Sequence, residues 1–290
     1  MSYQTLDYTI NDKILTLTLN RPGHMNSFTV EMASELIAAF NRASDDDEVS
    51  VIVVTGAGKA FCAGMDLSAE GNVFGLNEDL NPTVQDMHDR LDDPEIIEGV
   101  RDTGGQVTLA IYDCKKPIIA AINGAAVGIG ASMTCAMDIR LASEKARIGF
   151  VFNKIGITPE ACSSWFLPKI VGISKALEWC YTGEILDAEA ALAGGYIKSI
   201  SAPDDLMADA YRLAAKIAKH SPVALALTRQ MMYRNSAQDH PIEAHRIDSL
   251  AIYYASQKDG REGVKSFLEK RSPEFKTKAS TDMPDFYPWW

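Results

Sequence analysis

In the segment ILTLTLN, Leu15, Leu17 and Leu19 alternate with Thr16 and Thr18, a period of two that predicts a strand with one buried face. LNRPGHMNSF then turns. Between Thr29 and Ala43 the spacing changes, with Ala33, Leu36, Ile37 and Phe40 at i, i+3, i+4 and i+7, which predicts an amphipathic helix. The acidic SDDDEVS closes it as a solvated corner. VIVVTG is continuously apolar and predicts a short strand buried on both faces. Ser68 to Thr108 keeps no clear period and carries Gly, Asn, Pro and many acidic residues. It predicts a long surface insertion with some helix, of the kind that covers a ligand site.

From Pro117 to Met137 no side chain is charged. Ile118–Ile122 predicts a buried strand, Asn123-Gly124 a turn, and the stretch from Gly130 a short buried helix. DIRLAS predicts another strand. From Pro159 onward the pattern is mostly helical, most clearly in DLMADAYRLAAKIAKH and EGVKSFLEKR. The expected fold class is α/β with a C-terminal helical portion, and no low-complexity linker separates two independent domains.

Composition narrows the function classes. The 290 residues carry a formal net charge of −11, which argues against nucleic acid as a partner, because phosphate neutralisation needs surplus Lys and Arg. The uncharged run is long enough to span a membrane, but Pro117, Asn123-Gly124, Gly128 and Gly130 would break such a helix, so no membrane span is expected. Five widely spaced cysteines without a C-x-x-C pair predict reduced, mostly buried thiols, and with no export signal at the start a cytoplasmic location is expected. His240 and His245 are five apart around Pro241 and form no metal pair, so no metal is expected. GAGKAF lacks the Ser or Thr of a phosphate-binding loop, GIGASM has Met133 where a third glycine belongs, and no G-x-S-x-G is present.

Two glycine-bearing turns stand out, FCAGMDL and NGAAVGIGAS. Glycine lets a ligand approach the backbone, and a turn opening a helix presents free N–H groups. Two such groups aimed at one point make an oxyanion hole. On spacing alone the same residues read more readily as tight turns.

The chain resembles the crotonase (enoyl-CoA hydratase/isomerase) superfamily through an ordered set of segments: LNRPGHMNSFT, GAGKAFCAGMDL, KPIIAAINGAAVGIGASM, DIRLASEKARIGF, GITPEACSSWFLPKIVG, ALAGGYI and FLEKRSPEF. They cover nearly the whole chain except 68–108 and the last dozen residues. The resemblance implies a crotonase-like spiral of ββα units over residues 1–200 and a C-terminal helical trimerisation portion with tail over 201–290. It also implies a homotrimer or dimer of trimers and acyl-CoA thioester substrates, with coenzyme A part of the substrate and no separate cofactor. Met65 and Ile129 match the two backbone oxyanion donors. Ala63, Asp66, Leu67 and Ser68 match the stretch that meets the CoA moiety, and Phe267 and Lys270 match C-terminal residues that approach it, sometimes from a neighbouring subunit. On local grounds Asp66 is as readily a turn residue, and Lys270 a solvated charge.

The family's hydratases hold a water between two glutamates; the matching positions here are Ser132 and Phe152, neither of which transfers a proton near neutrality. Glu160, in ITPEACSSWFLP, resembles the Pro-Glu of Δ3,Δ2-enoyl-CoA isomerases, whose single glutamate moves a proton between C2 and C4. Pro159-Glu160 also fits the plain start of a helix. Three readings result: an isomerase with Glu160 as the shuttle; a hydratase in which Glu160 activates water, aided by Ser132 or Glu70; and a non-catalytic acyl-CoA-binding protein.

Overall fold

The computed structural model describes residues 3–68 and 71–290. The chain opens with a hairpin, β1 (Leu6–Asn11) and β2 (Ile14–Leu19), whose turn places Asp12 and Lys13 in the left-handed region. Leu15, Leu17 and Leu19 are fully buried, as their alternation predicts. Helix α1 (Val30–Asp45) starts at Thr29, whose side chain accepts from the Met32 amide, and it buries Ala33, Leu36 and Phe40. Strand β3 (Val51–Gly56) is buried throughout, and β4 (Ala60–Cys62) follows.

The stretch after β4 holds α2 (Val84–Asp89), α3 (Pro94–Gly99) and α4 (Thr103–Asp113). Its exposed part fits a surface insertion, but α4 does not: Gly104, Gly105, Val107, Thr108 and Ile111 are buried, so residues 103–108 belong to the core. Arg229 secures the far end of α4. Its guanidinium donates to the carbonyls of Ile111, Tyr112 and Cys114 at 2.7–2.9 Å and to Asp138 at 3.0 Å, satisfying carbonyls left open at a helix C-terminus.

Next come β5 (Ile118–Ile122), β6 (Ala125–Val127), α5 (Ile129–Cys135), β7 (Ile139–Ser143) and β8 (Arg147–Gly149). The remainder comprises α6 (Ser163–Val171), α7 (Ile173–Thr182), β9 (Ile185–Asp187), α8 (Ala188–Ala193), β10 (Ser199–Ser201), α9 (Leu206–Ile217), α10 (Pro222–Asn235), α11 (Pro241–Ala255) and α12 (Asp259–Glu269). Strands β9 and β10 interrupt the run expected to be helical; at three residues each they are too short to show a period.

The strands form two sheets, β1-β2-β3-β5-β7-β10 and β4-β6-β8-β9. Successive ββα units place one strand in each sheet: β3 then β4, β5 then β6, β7 then β8. Within the first sheet β2, β3, β5, β7 and β10 run parallel, and β4, β6 and β8 are parallel in the second. This is the expected α/β spiral. Short β4 and β6 therefore end side by side, and the turns that follow them lie together. The main core fills the space between the sheets and α1, α4 and α5, while Leu206, Ala210 and Ala214 of α9 pack against the other face of the larger sheet. Among the described residues no helix is long and apolar enough to cross a membrane. All five cysteines are free; Cys162 is half-buried and the rest are buried.

Candidate active site

The turn after β4 is built around Met65. Phe28 donates to the Gly64 carbonyl and receives the Asp66 amide, both at 2.8 Å. This isolated parallel bridge to Met65 leaves the Met65 N–H directed away from Phe28. Gly64 has φ +109, and a Cβ there would lie 3.2 Å from the Val127 carbonyl oxygen, so glycine lets the turn lie against β6. Asn26, left-handed and buried, braces it by donating to the Ala57 and Ala60 carbonyls at 2.9 and 2.8 Å. The Asp66 carboxylate accepts from the Ser68 hydroxyl at 2.6 Å, from Arg21 at 2.9 Å and from Ser27 at 3.1 Å. These bonds, Ser68 foremost, hold its pKa well below the usual carboxylate range.

The second turn follows β6. Gly128 adopts φ 55, ψ −124, a conformation closed to residues with a Cβ. Its amide bonds the Gly149 carbonyl at 2.9 Å, and its carbonyl accepts from Ala131 and Ser132 at 2.9 Å each. Ile129 is thus the first residue of α5, where an amide has no intrahelical acceptor. Among the described residues neither the Met65 nor the Ile129 N–H is engaged in a hydrogen bond. The turns touch: a Cβ on Gly128 would stand 3.9 Å from Gly64 Cα. Tyr196 anchors α5 from below, its hydroxyl 2.7 Å from that of Thr134 and donating to the Ala131 carbonyl at 3.0 Å.

Glu160 comes from the segment before α6. Sequence grounds allow Pro159-Glu160 to begin a helix, but α6 starts only at Ser163, after Ala161 and Cys162, both left-handed at φ 53. Left-handed non-glycine residues are unfavourable, and here they turn the chain so that the Glu160 side chain faces inward. Its carbonyl accepts from the Ser163 amide at 2.9 Å and hydroxyl at 2.6 Å. Its Oε1 is buried without a hydrogen-bond partner among the described residues. Burial and then the neighbouring Asp102 carboxylate raise the pKa of Glu160 to about 8, against a smaller opposing effect of the Ser132 hydroxyl.

A cavity of ≈ 340 Å³ joins these parts. Its wall includes Ala63, Gly64, Met65, Gly128, Ile129 and Glu160. Phe28, Phe74, Leu76, Phe152, Ile155 and Ile157 make the wall largely apolar, and Leu67 also lines it. Its only ionisable side chains among the described residues are Asp102 and Glu160. Of the residues singled out in the sequence, the cavity therefore collects Met65, Ile129, Glu160, Ala63, Leu67 and Phe152. Asp66 and Ser68 stand behind its rim, tied to each other. Ser132 is buried beneath it with its hydroxyl donating to the Gly128 carbonyl at 3.1 Å. Phe267 and Lys270 do not line the cavity; they close α12, with Phe267 81% exposed. Glu70 lies outside the described residues. Among those described, no cluster of His, Cys, Asp or Glu could hold a metal.

The structure adds two residues that sequence reasoning missed, Asp102 and Gly104. A Cβ on Gly104 would overlap Glu160 Oε2 and Ile129 Cδ1, so this glycine makes room for the carboxyl. The run Asp102-Thr103-Gly104-Gly105 before apolar Val107 and Ile111 is a readable helix start. Nothing local indicates that it folds back onto Glu160.

Comparison with known proteins gives a consistent pattern. The family model described as Enoyl-CoA hydratase/isomerase matches residues 9–101 and 85–278. The chain is 38% identical over 268 residues to the enoyl-CoA hydratase ACTT3 of Alternaria alternata, covering 91% of this chain and 83% of that protein. It is 33% identical to the 1,2-epoxyphenylacetyl-CoA isomerase of Escherichia coli, covering 90% of this chain and 94% of the relative. Its structure is similar to the crystal structure of an enoyl-CoA hydratase from Bacillus anthracis, with a TM-score of 0.82 at 28% identity, covering 94% and 99% of the two chains.

Proposed function

Since this chain belongs to the enoyl-CoA hydratase/isomerase family, we propose that its cavity binds an enoyl-CoA thioester and that Glu160 moves a proton on the acyl chain. The observation that carries this reading is one small cavity bounded by both unengaged amide turns and by the Glu160 carboxyl.

The thioester oxygen accepts from the Met65 and Ile129 amides. As negative charge develops there the hydrogen bonds strengthen, more so in an apolar cavity than in water; each such donor is worth roughly 3–4 kcal/mol in the transition state. This acidifies the proton on C2. In a 3-enoyl thioester, ionised Glu160 takes the C2 proton, the electron pair spreads into a dienolate, and Glu160 returns the proton to C4. The product is the 2-enoyl thioester, and Glu160 ends ionised as it began. One carboxyl suffices, and its raised pKa makes it a stronger base than an exposed glutamate.

Hydration is the second reading, favoured by the name of the Alternaria relative. It uses the same carboxyl to activate water. Against it, a buried Ser132 and an apolar Phe152 stand where the resemblance places the hydratases' two glutamates. The acyl chain is uncharged in either case, because no described Lys or Arg lines the cavity to receive a second carboxylate. Ala63 and Leu67 meet the thioester arm of coenzyme A, and Asp66 and Ser68 hold the turn from which they project. Phe267 and Lys270 serve coenzyme A from a neighbouring subunit of a trimer. Incubation with 3-enoyl- and 2-enoyl-CoA separates the alternatives: isomerisation interconverts them, hydration yields 3-hydroxyacyl-CoA, and a binding protein changes neither.

A further inference from the structure

We propose that Asp102 is a positioning residue for the proton carrier: its carboxyl and that of Glu160 form a pair that keeps one proton between them. The inference rests on the reading of Glu160 given above and extends it to a side chain with no counterpart among the motifs of the sequence.

The geometry is specific. Asp102 is the cap of α4 and lines the cavity beside Glu160. Its Oδ1 accepts the Gly105 amide and, at 3.3 Å, the amide of Ala161, the residue that follows Glu160. One carboxylate thus ties the start of α4 to the left-handed turn that aims Glu160. Glu160 has no amide donor among the described residues: Oε1 is unpartnered, and Oε2 occupies the space that a Gly104 Cβ would take. Two adjacent carboxyl groups do not readily both ionise, and burial keeps the proton on Glu160.

Other groups facing Glu160 do not supply this effect. From β4 and α5, Cys62 and Cys135 are buried thiols pushed up to about 12 and about 11, so both are neutral near pH 7. From α5, Ser132 contributes only a hydroxyl. Cys162, two residues along the chain, is also raised, and the charge of Arg101 reaches it rather than Glu160. After burial, the neighbouring Asp102 carboxyl is the main influence on the proton affinity of Glu160. It trades availability for strength: a base of pKa about 8 is ionised in about one molecule in ten at pH 7 but pulls harder on the C2 proton once ionised.

The test is Asp102→Asn, because asparagine caps a helix as well as aspartate does and removes only the charge. Two readouts are taken: kcat/KM for 3-enoyl-CoA against pH, and the carboxylic-acid infrared band assigned by difference from Glu160→Gln, which reports protonation of Glu160 without turnover. In wild type both rise or fall through a midpoint near 8. In D102N both midpoints move down, kcat at the high-pH plateau falls several-fold, and KM stays within about twofold. Asp102→Ser gives the same comparison with a second uncharged cap. Midpoints that stay in place in both folded variants overturn the proposal and leave Asp102 a helix cap. Wild-type turnover in E160Q would instead sink the parent reading, with the infrared midpoint still deciding whether the two carboxyls are paired.

Discussion

Burial lifts the pKa of Glu160 from its ordinary 4.5 to about 8, and the same shift acts on stability. Between those values the folded protein holds a proton that the unfolded chain has released, so its contribution is complete below about pH 4.5 and is lost as pH rises through 8. On the scale of ~1.4 kcal/mol per pKa unit, the loss amounts to a few kcal/mol. Gln mimics the protonated carboxyl. Thermal melts of E160Q are expected to match wild type near pH 5 and to exceed it by several degrees at pH 9. An equal offset at both pH values would mean that Glu160 is not carrying a buried proton. Asp66, which lies three residues from Ala63 on the same turn, has the opposite sign. Ser68 and Arg21 hold it ionised, so its support for the Met65 turn is present at neutral pH and is lost on acidification.

At the scale of elements, legibility in the sequence followed burial pattern and length. Strands β2, β3 and β5 and helix α1 are predicted almost to their ends, because each has a face or a run long enough to show a period. β4, β6 and β8 contribute only three residues apiece, many of them small; their identity depends on neighbours brought close by the spiral. The donor turns were visible as glycine patterns. Glu160 stands out as a carboxyl among apolar residues, but local pattern favours a plain helix start there; only the family resemblance singles it out, and α6 begins later, at Ser163. Asp102 and Gly104 were not legible, since their role arises only when α4 packs against α5 and the Glu160 turn. The contact gives a sharp prediction: Gly104→Ala places a methyl on Glu160 Oε2 and Ile129 Cδ1. Displacing the carboxyl by about 1 Å should lower kcat about a hundredfold. Near-normal kcat in a folded G104A would show that the carboxyl is not positioned by this wall.

For the whole molecule, the two sheets and the spiral connection bring segments 65, 102–104, 129 and 160 into one cavity, a juxtaposition that no local pattern records. The C-terminal helices present a different surface. Met232, Ile252, Tyr253, Val264, Phe267 and Leu268 are all more than 60% exposed, an apolar load that a monomer rarely leaves uncovered. A trimer or dimer of trimers is expected in sedimentation experiments, and a monomer at micromolar concentration would contradict the proposed contact of Phe267 and Lys270 with coenzyme A in a neighbouring subunit. The proposed catalysis depends on Glu160 acting on a thioester that the Met65 and Ile129 amides hold in place. Its most direct test compares E160Q with wild type in two quantities, turnover of 3-enoyl-CoA and affinity for the same acyl-CoA. Turnover is predicted to fall at least about a thousandfold with affinity unchanged within a few-fold; wild-type turnover in the variant would contradict the account.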